Sequence, residues 1–176
     1  MFIEIQDPLK IFIGYDSREQ IAFHTCKESI MTYASVPVDI QPIKLKDVKK
    51  NGLYWRDTDK LSSTEFTFSR FLVPELCDFK GWALFIDCDF IALTDIKELF
   101  DHCNEKYALM CAQHDYTPRK EYKMDGQIQH LYPRKNWSSM MLFNCEHVSN
   151  QILTKSLVNN PKIDGKYLHR FSWLHD

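Results

Sequence analysis

The sequence predicts an α/β fold, a mostly parallel sheet flanked by helices, in a single domain spanning residues 1–176. Three observations carry this. Short apolar runs rich in β-formers recur along the chain. Segments with helical spacing or polar turns separate them. No internal repeat or low-complexity tract interrupts the alternation. Strands alternating with helices read as βαβ units, and the length suits one domain.

Lys10–Tyr15 (KIFIGY) is the first apolar run and reads as a buried strand. Asp16 and Ser17 then offer helix-capping chemistry. Ile21, Ala22, Thr25, Ser29 and Ile30 give helical spacing within Arg18–Ala34, and Pro37 closes that unit. Val38–Ile43 is a second strand. Lys44–Ser63 is polar and irregular, a long loop with a helical turn. Glu65–Leu76 reads as a helix whose end is limited by Pro74. Trp82–Ile86 (WALFI) is the clearest buried strand, followed by Asp87-Cys88-Asp89 and then Phe90–Leu93. Thr94 or Asp95 caps a short helix through Phe100. Tyr107–Gln113 is a strand, and His114–Asn136 is a long polar and aromatic loop. Ser139–Asn144 is a further strand, Glu146–Val158 an amphipathic helix, and Tyr167–Trp173 is helical.

Composition narrows the function. The chain is 44% hydrophobic and carries a net charge of −2 without a concentrated basic face, so nucleic acid is not an expected partner. Six cysteines occur without a C-x-x-C pair, mostly inside apolar runs, which points to reduced thiols and a cytoplasmic location. Met1–Lys10 lacks the apolar stretch of a signal peptide. No apolar run reaches the ~18–20 residues of a transmembrane segment. With five glycines in all, a Gly-rich phosphate loop is not expected, and neither H-E-x-x-H nor G-x-S-x-G occurs.

In open α/β sheets, ligands sit at the carboxyl ends of strands, so the residues just after strands come first. Asp87 and Asp89 directly follow WALFI. In an extended segment they would share a face, and two carboxylates held together call for a hard cation such as Mg²⁺ or Mn²⁺. A second D-x-D, Asp57-Thr58-Asp59, has no strand before it and reads as loop. Asp16 also follows a strand. It is either a helix cap or an acceptor for a base or ribose, with Tyr15 beside it as a stacking surface. Arg70 lies between Phe68 and Phe71, as an ion-pair partner or a phosphate clamp. His169 and His175 are near the end of the chain, where a nitrogen ligand could complete a metal site, although histidines elsewhere in proteins are more often packing or surface groups.

Together, the strand ending in Asp16, Ser69–Leu76 (SRFLVPEL) and Trp82–Ile91 (WALFIDCDFI) resemble the family-8-like glycosyltransferases of the GT-A fold, which use nucleotide-sugar donors. Asn136–Cys145 (NWSSMMLFNC) is similar to the strand such proteins place beside the donor sugar. The resemblance implies a GT-A-like, Rossmann-like sheet and a retaining hexosyltransferase. It implies Asp87 and Asp89 as the catalytic pair that binds Mn²⁺ or Mg²⁺ and the donor. Tyr15 and Asp16 would hold the nucleoside, Arg70 would face the sugar or diphosphate, and Ser138 and Ser139 would lie near the sugar. The expected donor is a UDP-hexose and the expected acceptor a glycan or lipid-linked molecule. Two departures stand out. Ser138-Ser139-Met140 follows Trp137 where the family often has Asn-Ala-Gly. The family's third metal ligand, a histidine, belongs to a segment beyond Asp176, so a C-terminally short chain is expected. An inactive nucleotide-sugar-binding remnant is the main alternative. A haloacid-dehalogenase-like phosphatase is remote, because Ile91 stands where that class has Thr and the motif is not on the first strand.

Overall fold

β1 (Leu9–Tyr15) is the inner strand around which the chain folds. Ile11, Phe12, Ile13 and Gly14 are all buried. A strand covered on both faces is written as a continuous apolar run, which is why this one was legible. The computed structural model describes residues 7–57, 62–114, 134 and 137–174.

α1 (Gln20–Tyr33) buries Phe23, Cys26 and Ile30, one stripe of the helix. It begins two residues later than the expected Arg18, because neither Asp16 nor Ser17 caps it. Glu19 holds the cap position without a side-chain bond, and the Ser17 hydroxyl donates to Glu65 instead. β2 (Val38–Lys44) pairs parallel to β1, from Leu9 opposite Val38 to Tyr15 opposite Lys44. β2 is an edge strand, the position in a sheet that tolerates a proline such as Pro42.

α2 (Leu45–Lys50) is the helical turn expected after β2. The single helix expected over Glu65–Leu76 is a succession of turns, a 3₁₀ turn at Ser69–Leu72 and then α3 (Val73–Leu76). Pro74 does not limit a helix here. It lies in the first turn of α3, where its missing N–H would have had no partner in any case. β3 (Trp82–Ile86) pairs parallel with β1 on the side away from β2. α4 (Lys97–Phe100) follows, with the Asp95 carboxylate accepting from the Lys97 N–H at 3.0 Å.

β4 (Leu109–Cys111) is shorter than the expected Tyr107–Gln113. Most of the expected 114–136 loop lies outside the described residues, as do Thr58 and Asp59 of the second D-x-D. β5 (Met140–Asn144) pairs antiparallel with both β3 and β4. The sheet order is β2-β1-β3-β5-β4. β4 is antiparallel to β5, which is antiparallel to β3, so four strands run one way and β5 alone is reversed. The sheet is therefore mixed and mostly parallel.

The expected helix over Glu146–Val158 divides into a 3₁₀ turn at Val148–Ile152 and α5 (Lys155–Val158). Thr154 separates them because its hydroxyl oxygen accepts from the Leu157 N–H, starting a new helix rather than continuing an old one. α6 (Gly165–His169) is capped by Asp164, and Phe171 follows in the left-handed region at φ 56°.

The buried apolar side chains of these elements form one cluster. Alternation and register place Phe12, Gly14 and Phe85 on one face of the sheet. The Phe66 ring lies against that face over Gly14, where a Cβ would stand 2.5 Å from Phe66 Cδ2. The next residues outward on this face are Asp16, two beyond Gly14, and Asp87, two beyond Phe85.

Candidate active site

β1 connects through α1 to β2 on one side, and the chain then crosses to β3 on the other side of β1. The carboxyl ends of β1 and β3 therefore flank a topological switch point, the place where open α/β sheets bind ligands. Asp16 and Asp87 stand on its two sides.

Asp16 is fully buried. Its Oδ1 accepts from the Arg18 N–H at 3.0 Å and from Arg18 Nε at 2.9 Å. Its Oδ2 accepts from Arg18 Nη2 at 2.7 Å and from the Glu65 N–H at 3.1 Å. The Arg18 hydrogen bonds hold its carboxyl down at about 2. Four accepted bonds fill this carboxylate from within the chain, and Arg18, itself largely exposed, also donates to the Ser63 carbonyl. Tyr15 packs edge-on against Phe23 at 5.4 Å, with Lys44 Nζ 4.6 Å from its ring centroid.

Arg70 is buried on the floor of the switch point. Its guanidinium carbon is 5.0 Å from the centroids of both Phe66 and Phe85. Nη1 donates to Asp87 Oδ1 at 2.8 Å and to the Ser138 carbonyl at 2.8 Å, and Nε donates to the Phe66 carbonyl at 3.3 Å. Of the two readings left open for Arg70, the structure shows the ion pair. Burial nevertheless pushes the guanidinium down from its ordinary value and pushes the Asp87 carboxyl up to about 6, with the charge of Asp89 adding to the latter. On both sides of the pair, desolvation outweighs mutual attraction.

Cys88 and Asp89 lie in a turn, so the D-x-D segment is not extended and strand alternation ends at Asp87. Asp89 is exposed, and among the described residues it has no hydrogen bond or ion pair. The Cys88 thiol points into α1 and donates to Glu19 Oε2 at 3.7 Å. Glu19 thus adds a carboxylate near the pair that the sequence did not single out.

Ser138 is buried, its hydroxyl sharing a 2.7 Å hydrogen bond with His169 Nδ1. The Ser139 carbonyl accepts from the Asp87 N–H at 2.8 Å. The predicted residues Arg70, Asp87, Ser138 and Ser139 therefore form one connected group, with Asp16 and Tyr15 across the switch point. His169 joins that group through Ser138; His175 lies outside the described residues. No local pattern could have announced this contact, since 31 residues separate the two. Arg18 was legible in principle, two residues from a strand-end acid.

Among the described residues, no three His, Cys, Asp or Glu side chains group closely enough to hold a metal. Asp87 and Asp89 do fit the smaller protein share of a Mg²⁺ or Mn²⁺ site. They are two hard oxygen donors, one of them without a hydrogen bond or ion pair among the described residues, and such ions commonly take their remaining ligands from substrate phosphates and water. Beside Asp16 opens a cleft of about 270 Å³ lined by Arg18, Lys49, Tyr54, Thr64 and Phe68 among others.

The fold is similar to those of solved glycosyltransferases. The WbbM bifunctional glycosyltransferase superposes with a TM-score of 0.57 over 89% of this chain and 35% of its own, at 14% identity. GlyE of Streptococcus pneumoniae, also a glycosyltransferase, gives 0.57 over 97% of this chain and 44% of its own, at 14% identity. The fold is that of GT-A glycosyltransferases. Mouse xyloside xylosyltransferase 1 shares this GT-A architecture at a TM-score of 0.50 and 13% identity, over 86% of this chain and 73% of its own. No family model matches the sequence. Among curated proteins, Protein CDI of Arabidopsis thaliana is 56% identical over 169 residues, covering 96% of this chain. The chain spans 64% of the length of that relative.

Proposed function

We propose that this protein is a retaining, family-8-like glycosyltransferase. It moves a hexose from a nucleotide-sugar donor, a UDP-sugar, to a glycan or lipid-linked acceptor in the cytoplasm. One observation carries the reading: on a GT-A fold, Asp87 and Asp89 stand at the carboxyl end of β3, beside the switch point, with Arg70 as the buried cation against Asp87. The six free thiols support the reducing compartment.

Asp87 and Asp89 would hold Mn²⁺ or Mg²⁺, which supplies charge neutralisation to a departing diphosphate. Asp89, exposed and without an ion pair among the described residues, would be the more direct ligand. Arg70 fixes the Asp87 carboxylate and adds positive charge at the floor of the site, a preorganised electrostatic role that needs no movement during transfer. The cleft beside Asp16 offers cationic and hydroxyl groups, with Tyr15 nearby, for the nucleoside portion.

Calorimetry with UDP, with and without Mn²⁺, followed by an assay for hydrolysis of UDP-hexoses, tests this. Metal-dependent UDP binding with donor turnover is the expected result, and Asp89→Ala should abolish the metal dependence. Binding without turnover of any donor would refute the transferase and favour a sugar-nucleotide binder. UDP binding that ignores Mn²⁺, or survives Asp89→Ala unchanged, would refute the metal site.

A further inference from the structure

We propose that His169 is a positioning residue, which holds Asp87 in place through Ser138 and Arg70. Three contacts connect them. His169 Nδ1 and the Ser138 hydroxyl are 2.7 Å apart. The Ser138 carbonyl accepts from Arg70 Nη1 at 2.8 Å, and that same Nη1 donates to Asp87 Oδ1 at 2.8 Å. The neighbouring Ser139 carbonyl accepts from the Asp87 N–H at 2.8 Å. The 138–139 segment therefore grips Asp87 twice, by its backbone and through Arg70.

What places that segment comes from outside the sheet. Trp137–Ser139 is a 3₁₀ turn entering β5, and the only side-chain oxygen that Ser138 has is committed to the last residue of α6. The imidazole is itself oriented by edge-on rings, Phe71 at 5.1 Å and Phe68 at 6.4 Å. Phe71 lies in the same 3₁₀ turn as Arg70. One turn thus supplies both the guanidinium that holds Asp87 and the ring that aims His169, closing a loop of contacts. Groups that orient a ligating side chain through hydrogen bonds act on affinity without touching the ligand. The consequence for nucleotide binding rests on the function proposed above; the positional link does not.

The test uses His169→Leu, which keeps apolar bulk and removes Nδ1, and His169→Asn, whose amide can occupy the place of Nδ1. Two measurements are made on the whole chain: hydrogen exchange of the Asp87 amide, and UDP affinity in the presence of Mn²⁺. His169→Leu should speed exchange at Asp87 and weaken UDP–Mn²⁺ binding by about tenfold or more. His169→Asn should recover most of both. Ser138→Ala, which retains the fold's backbone bonds, should repeat the His169→Leu result and serves in its place should that variant not fold. Unchanged Asp87 exchange in His169→Leu and Ser138→Ala overturns the inference, as does failure of His169→Asn to recover it. Faster exchange in a protein whose wild type binds no UDP would sustain the positioning role and refute the proposed function.

Discussion

Replacing Asp87 with asparagine should make the metal-free protein more stable at neutral pH. Burial raises the Asp87 carboxyl from its ordinary 3.8 to about 6, even with Arg70 in contact. A folded-state value above the unfolded one means that the stability the group contributes is complete below about 3.8 and is lost as pH rises through about 6. At about 1.4 kcal/mol per tenfold change in proton affinity, the ionised carboxylate costs the fold up to roughly 3 kcal/mol at pH 7.5. Asparagine keeps an oxygen for Arg70 Nη1 and carries no charge to desolvate. Its gain should be about 1–3 kcal/mol, below the full value because Arg70 loses its counter-charge. Urea unfolding in a chelator, at pH 7.5 and again near pH 4, measures it. The variant should lead at pH 7.5 and the lead should shrink towards pH 4. A variant less stable than wild type at pH 7.5 would refute the reasoning, since it would mean that attraction to Arg70 exceeds the cost of burial.

Asp16 has the opposite sign. Held at about 2 by Arg18, it contributes stability present above 3.8 and lost as pH falls through about 2. Asp16→Asn should cost about 1–2 kcal/mol at pH 7, a figure reduced because Arg18 is solvent-exposed, and urea midpoints should show the deficit closing in acid. Gly14→Ala should cost about 1–3 kcal/mol by driving a methyl into the Phe66 ring, and pairing it with Phe66→Leu in a double-mutant cycle should recover part of the loss. Thr154→Ala should cost about 1 kcal/mol through loss of the α5 cap, read as a lower thermal midpoint with the circular dichroism spectrum otherwise unchanged.

The inner parallel strands were legible because burial on both faces writes a continuous apolar run, and β3 begins and ends where WALFI does. Strand direction was not legible. Nothing in Met140–Asn144 says that it runs against its neighbours, because an apolar run has no polarity. Helix boundaries differ from the sequence pattern where a capping-type side chain settles on one partner rather than another. Asp16 took Arg18 rather than capping α1, and Thr154 split an apparently continuous helix in two. The site follows the same division. Asp16, Arg70, Asp87, Ser138 and Ser139 could be named from strand ends and from the resemblance, whereas His169 and Glu19 reach the site only through tertiary contacts.

The reversed direction of β5 bears on how such a protein can diversify. β4 points the same way as β1 and β3, so it finishes at the edge where Asp16 and Asp87 stand, and β5 starts from that same edge. The connection between β4 and β5 therefore has both of its ends, Cys111 and Met140, at the rim of the site. Each strand's register is set by its own pairing, so a change of chain length between those two ends, short of Ser138 and Ser139, need shift no strand. On the function proposed above, a new acceptor preference at that rim would then require no change to the sheet beneath it.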